Sequence, residues 1–105
     1  MDRARIIERL GARLLAAAGR GDWRLLERAV CELGPQLRLL AEQGPWSAPE
    51  RGALARLRAA HDAAAGACRE AAGDLQARLD DLRDNKEGWM AYALAGGQDN
   101  GEARP

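Results

Sequence analysis

The stretch Trp23-Arg24-Leu25-Leu26-Glu27-Arg28-Ala29-Val30-Cys31-Glu32-Leu33-Gly34-Pro35-Gln36-Leu37-Arg38-Leu39-Leu40 decides the fold class. Within it Trp23, Leu26, Val30, Leu33, Leu37 and Leu40 recur at spacings of 3, 4, 3, 4 and 3. Such a seam is an apolar stripe along one side of an α-helix. Asp22, just before it, is a good N-cap, because its carboxylate can accept from the orphan amides of the first turn. Pro35 removes one backbone hydrogen bond and crowds the preceding turn. The seam nevertheless keeps its phase through Leu37 and Leu40, which predicts a kink at Gly34-Pro35 rather than a stop.

Working outward, the same periodicity predicts two more helices. Upstream, residues 2–18 place Ile7, Leu10, Leu14 and Ala18 on one face, with Ile6 and Leu15 broadening it, and Gly19-Arg20-Gly21 ends the segment. Downstream, Glu42 to Pro49 holds Gly44-Pro45 and a second proline, the clearest loop in the chain. Pro49 and Glu50 suit the start of a third helix, the glutamate complementing the N-terminal dipole. Stepping by seven from Leu54 gives His61, Cys68, Leu75, Leu82 and Trp89, with Leu57, Ala64 and Ala71 as companions before the stripe drifts to Ala72 and Leu79. This helix is expected over about 50–94, as one rod or as two pieces parted near Asn85 to Gly88, where helix propensity is lowest. Residues 96–105, Gly- and polar-rich, are expected to form a flexible tail. The expectation is therefore one domain over 1–95, a small antiparallel bundle of three long helices with or without a short fourth.

Composition supports an all-α fold. Among 105 residues Ala occurs 23 times and Leu 15, whereas Ile6, Ile7 and Val30 are the only β-branched residues and Thr and Phe are absent. A sheet has nothing here to cover its pleated faces. Sixteen basic residues balance sixteen acidic ones, which argues against a nucleic-acid binder, because affinity for phosphate chains comes from clustered positive charge. The charged N-terminus lacks the apolar run of a signal peptide, and the longest apolar run, Leu14 to Ala18, is far too short to span a membrane. A cytoplasmic protein without membrane insertion is expected.

Catalysis and metal binding find little support. His61 and Cys68 lie seven apart on one helical face and Cys31 could approach from the neighbouring helix, a trio that would permit zinc. None sits at the short spacings that usually hold zinc, and packed core residues or a partly exposed histidine is the favoured reading. A nucleophilic Cys/His pair needs an electropositive, partly open setting, the opposite of a leucine seam. The opening helix superficially resembles that of a short helical chorismate mutase, but that chemistry needs several buried cations including a lysine. Here the sole lysine, Lys86, stands late in the chain beside acids. Asp80, Asp81, Asp84 and Glu87 read as a solvated face, with Arg78, Arg83 and Lys86 at spacings for weak pairs along the helix. No cofactor and no enzyme activity are expected. What remains is apolar surface: the small-residue stretch from Ala59 to Cys68, and the late Trp89, Met90 and Tyr92, which suggest a docking element. Trp23 and Trp46 are expected to anchor a helix end and the interhelix loop.

Gly21-Asp22-Trp23-Arg24-Leu25-Leu26-Glu27, following a Leu-rich first helix, resembles the small–acidic–Trp–x–x–Leu opening of helix two in the FliT-type flagellar export chaperones. Leu79-Asp80-Asp81-Leu82-Arg83-Asp84-Asn85-Lys86-Glu87-Gly88-Trp89-Met90-Ala91-Tyr92 is similar to the closing Leu-x-x-Leu, basic, Ala-Tyr helix of that family. The resemblance covers roughly residues 3 to 95. It implies a chaperone that binds the helical C-terminal segment of the filament-cap protein, prevents premature assembly, and delivers it to the export ATPase and export gate of the type III secretion apparatus. In some members the last helix folds over the client site, and in some the free chaperone restrains the flagellar master regulator. Trp23 and Tyr92 match the family's aromatic residues at the corresponding places.

The residues themselves suggest the same mechanism: a groove of Leu57, Ala64, Ala71, Leu75 and Leu79 covering the apolar stripe of a client, with Trp89 and Tyr92 in regulation or docking. Burying about 600 Å² of apolar area offers on the order of 15 kcal/mol before association and ordering costs. Alternative readings are a sibling chaperone for the hook–filament junction proteins, a homodimeric coiled-coil adaptor joined through the helix-two seam, and a metal or thiol sensor built on Cys31, His61 and Cys68.

Overall fold

The computed structural model describes residues 2–100, with side chains to Ala95. It is all-α: α1 (Arg3–Gly19), α2 (Trp23–Ala41) and α3 (Ala48–Asn100), with no strand and no fourth helix among the described residues. Contacts divide the chain into two units, Met1–Glu70 and Ala71–Pro105.

Local chemistry fixes the helix ends of the first unit. The Asp2 carboxylate accepts from the Arg5 amide at 3.2 Å and opens α1. Gly21 closes it with φ +66°, a left-handed conformation that a β-carbon disfavours. The amide of Gly21 donates to the Ala18 carbonyl and that of Asp22 to the Ala17 carbonyl, the paired bonds of a Schellman motif. Asp22 then turns to α2, its carboxylate accepting from the Leu25 amide at 3.1 Å. At α3, Ser47 and Glu50 cap each other: the serine hydroxyl accepts from the Glu50 amide at 3.3 Å, and the Glu50 carboxylate accepts from the Ser47 amide at 2.8 Å. Two orphan donors are satisfied by this capping box.

Three stripes meet in one core. Ile7, Leu10, Leu14 and Ala17 come from α1, Leu26, Ala29 and Leu40 from α2, and Ala53, Leu57 and Ala64 from α3. Leu25, Leu33, Leu37, Trp46 and Leu54 pack against them, partly buried. Directions follow from the pairs between helices. Arg3 reaches the Leu40 carbonyl and Arg13 pairs with Glu32 at 3.4 Å, so α1 and α2 run oppositely. Arg3 pairs with Glu50 and Glu8 with Arg56 at 2.8 Å, so α1 and the start of α3 ascend together. A β-carbon at Gly11 would stand 3.6 Å from the Ala60 β-carbon and from Leu57, which measures how near α1 and α3 approach.

Arg3 joins all three elements at one end of this unit. It is 8 % exposed. Its Nε and one terminal nitrogen donate to the two carboxylate oxygens of Glu50, at 2.8 and 2.7 Å. The terminal nitrogens also donate to the carbonyls of Leu40, Gly44 and Pro45 at 2.8 to 3.0 Å. The guanidinium carbon lies 4.4 Å from the centroid of Trp46, a cation–π contact. These donors hold the Glu50 carboxyl well below the ordinary value of 4.5, at about 2, the Arg3 bonds first and the Ser47 amide second.

Three expectations are corrected. α2 does run through Pro35, whose missing N–H leaves the Cys31 carbonyl without its helical donor, but its inward residue is Ala29, and Val30 is exposed. In α3 the stripe against the core is Ala53, Leu57, Ala60 and Ala64, leaving His61 and Cys68 exposed. Of the two forms open to α3, it takes the single rod, unbroken across Asn85 to Gly88. Its bounds take in residues 96–100, which the sequence reading gave to the tail; 101–105 lie outside the described residues.

The second unit holds the remainder of α3. From Ala71 to Ala95 no residue is buried; only Ala71 and Ala93 are half-buried.

Candidate functional site

The residues expected to hold a client separate into two environments. Leu57 and Ala64 are core residues, covered by α1 and α2, and are unavailable to a partner. The sequence placed them in a groove because a leucine-alanine stripe looks alike whether it faces a core or a client. Ala71 is half-buried. Leu75 and Leu79, by contrast, are 58 % and 48 % exposed, Leu82 is 64 % exposed and Trp89 71 %. Tyr92 is exposed as well, its ring edge-on to Trp89 with centroids 6.2 Å apart.

These exposed residues have an order. Ala72, Leu75, Leu79, Leu82, Lys86, Trp89 and Ala93 follow spacings of 3, 4, 3, 4, 3 and 4 along an uninterrupted helix. They form a coiled-coil seam with one charged residue at an inner position. Large apolar side chains scattered singly on a surface need no explanation, but these lie in a contiguous stripe. Beside it Asp84, Asn85, Gly88, Trp89 and Tyr92 line a shallow depression.

Electrostatics distinguish one side of this helix from the other. Sequence spacing predicted pairs between Arg78, Arg83 or Lys86 and the neighbouring acids. Among the described residues the ion pairs are Arg3–Glu50, Arg13–Glu32, Arg56–Glu8 and the His61–Asp62 contact, and none involves those three bases. Exposed pairs gain little Coulomb energy in water and lose side-chain entropy, so the spacing alone does not secure them. The one polar bridge in this stretch is from the Gln76 amide to Asp80 at 3.0 Å.

A second concavity lies in the first unit, between α2 and α3. Trp23, Leu26, Val30, Cys31, His61 and Cys68 are among its lining residues, around a volume of about 450 Å³. It does bring Cys31, His61 and Cys68 to one groove. Both thiols are free and exposed, yet no three His, Cys, Asp or Glu side chains among the described residues are grouped so as to hold a metal ion. The seam of α2 is occupied from within: Leu26 and Leu40 are buried and Leu33 and Leu37 pack on the core. A dimer joined through that seam would have to open the core. No helix among the described residues is long and apolar enough to cross a membrane.

No protein family, curated protein or solved structure matches the chain.

Proposed function

We propose that the protein is a non-catalytic export chaperone that holds a helical segment of a client along the seam from Ala72 to Ala93. The observation that carries this reading is the run of exposed Leu75, Leu79, Leu82 and Trp89 at heptad spacing on one helix. A segment that assembles through coiled-coil contacts has an apolar stripe of its own. Pairing the two stripes removes both from water until release. The resemblance of residues 21–27 and 79–92 to the FliT-type flagellar chaperones names the client as the helical C-terminal segment of the filament-cap protein. It also names the export ATPase and gate as recipients, with action in the cytoplasm, and the flagellar master regulator as a second partner of some relatives. Leu57 and Ala64 support the scaffold in this reading; Leu75 and Leu79 touch the client.

Calorimetric titration with the cap segment, and with the hook–filament junction proteins of the same cell, tests it. One-to-one binding of the cap segment at micromolar affinity or tighter is the expected result, lost in a Leu79→Asp variant that keeps its helical spectrum. Binding of a junction protein alone would transfer the assignment to the sibling chaperone. No heat with either would overturn the flagellar reading.

A further inference from the structure

The charges between Ala71 and Ala93 are sorted around the helix. With Leu79 and Lys86 at a positions and Leu75, Leu82 and Trp89 at d, all five acids of the stretch fall at b, c or f, away from the seam: Asp74, Asp80, Asp81, Asp84 and Glu87. All three bases fall on the seam or its shoulders, Arg78 at g, Arg83 at e and Lys86 at a. The other shoulder positions are Ala71, Gln76, Asn85, Met90 and Tyr92, which carry no charge. Among the described residues none of the three bases is in an ion pair. The apolar stripe is thus bordered by positive charge that no described residue answers with an ion pair.

We propose that the occupant of this seam is an amphipathic helix of a partner protein that carries Glu or Asp at the shoulders of its own apolar stripe. The inference rests on the reading of the seam as a docking surface and adds the charge of what docks. Residues at e and g set partner choice in paired helices, and a lone lysine at an a position sets register. A partner with acids opposite Arg78 and Arg83 gains charge-assisted contacts at the edge of a water-excluding stripe, while basic flanks are repelled. A second copy of this chain does not satisfy these demands. It has no acid at any a, d, e or g position of the stretch, so self-pairing along it answers the bases in no register. In a parallel, in-register pair, Arg78 would meet Arg83 of the copy and Lys86 would meet Lys86.

The test uses the full chain and three synthetic helical peptides of equal length and identical leucine seam, with Glu, Gln or Lys at the e and g positions. The Glu peptide is expected to bind about tenfold more tightly than the Gln peptide, and the Lys peptide not at all, with the gap closing as salt is raised. The R78E/R83E double variant, altered only at exposed positions, should reverse the order and favour the Lys peptide. Equal binding of the Glu and Gln peptides would overturn the charge assignment while leaving the seam a docking surface. Binding of none would overturn both. A dimer in sedimentation that becomes a monomer in Leu82→Asp would make a second copy the occupant and would likewise overturn the proposal.

Discussion

Arg3 shows what one side chain can do when its acceptors are arranged around it. A guanidinium has five N–H donors in a rigid fork, and here the fork meets a carboxylate and three backbone carbonyls. An Arg3→Ala chain loses the Glu50 pair, the Trp46 contact and the three carbonyl bonds; the last alone, at about 1 kcal/mol net each, set a loss of at least about 3 kcal/mol in urea unfolding. Arg3→Lys should not recover it, because an ammonium cannot reproduce the fork. Glu50 makes the same site sensitive to acid. Its folded pKa is depressed to about 2 from the ordinary 4.5, so its contribution is present above about pH 4.5 and is lost as pH falls toward 2. Glu50→Gln should flatten the stability profile in that window, which denaturation over a pH series would read. None of this was legible in the sequence. The carbonyl acceptors have no side-chain signature, and the partners lie 37 to 47 residues away. The one local sign was Glu50, placed at the start of the third helix for its charge; its capping box with Ser47 emerged only with the structure.

At the scale of the element, the three helices were legible because their evidence is local. Asp22 as a cap and Gly21 in the stop act within a turn or two and the structure bears them out, and α2 forms where its 3-4 spacing put it, with Ala29 turned inward in place of Val30. The orientation of α3 was less legible. Its first half is so rich in alanine that Ala53, Leu57, Ala60 and Ala64 compete with the neighbouring stripe of Leu54, His61 and Cys68, and packing against α1 and α2 decides between them. Gly11 sits at that contact. A β-carbon there would meet Ala60 and Leu57 at 3.6 Å, ordinary van der Waals distance, while glycine within a helix costs roughly 1 kcal/mol relative to alanine. Gly11→Ala should therefore raise stability by about 0.5 to 1 kcal/mol, seen as a higher denaturation midpoint with an unchanged slope.

At the scale of the molecule, burial among the described residues is confined to 3–64, and those from Ala71 to Ala95 contribute none of it. Hydrogen exchange on the intact chain should find the amides around Ile7, Leu14, Leu26 and Leu57 opening only with global unfolding. Those from Ala71 to Ala95 should exchange faster by orders of magnitude until a bound helix protects them. The sequence did point to the exposed half of the candidate site, because Leu75, Leu79, Trp89 and Tyr92 stand where little core remains to be filled. It misplaced the other half, since burial of Leu57 and Ala64 depends on helices far away in the chain. The Arg3 junction also has a consequence during synthesis. Arg3 is joined to the chain long before Leu40, Gly44, Pro45 and Glu50 have been made. The first two helices can meet as a hairpin while the guanidinium is still hydrated, and the latch across all three closes only after the start of α3 emerges. Translation thereby imposes an order on assembly in which a side chain from the first turn of α1 is among the last to find its place.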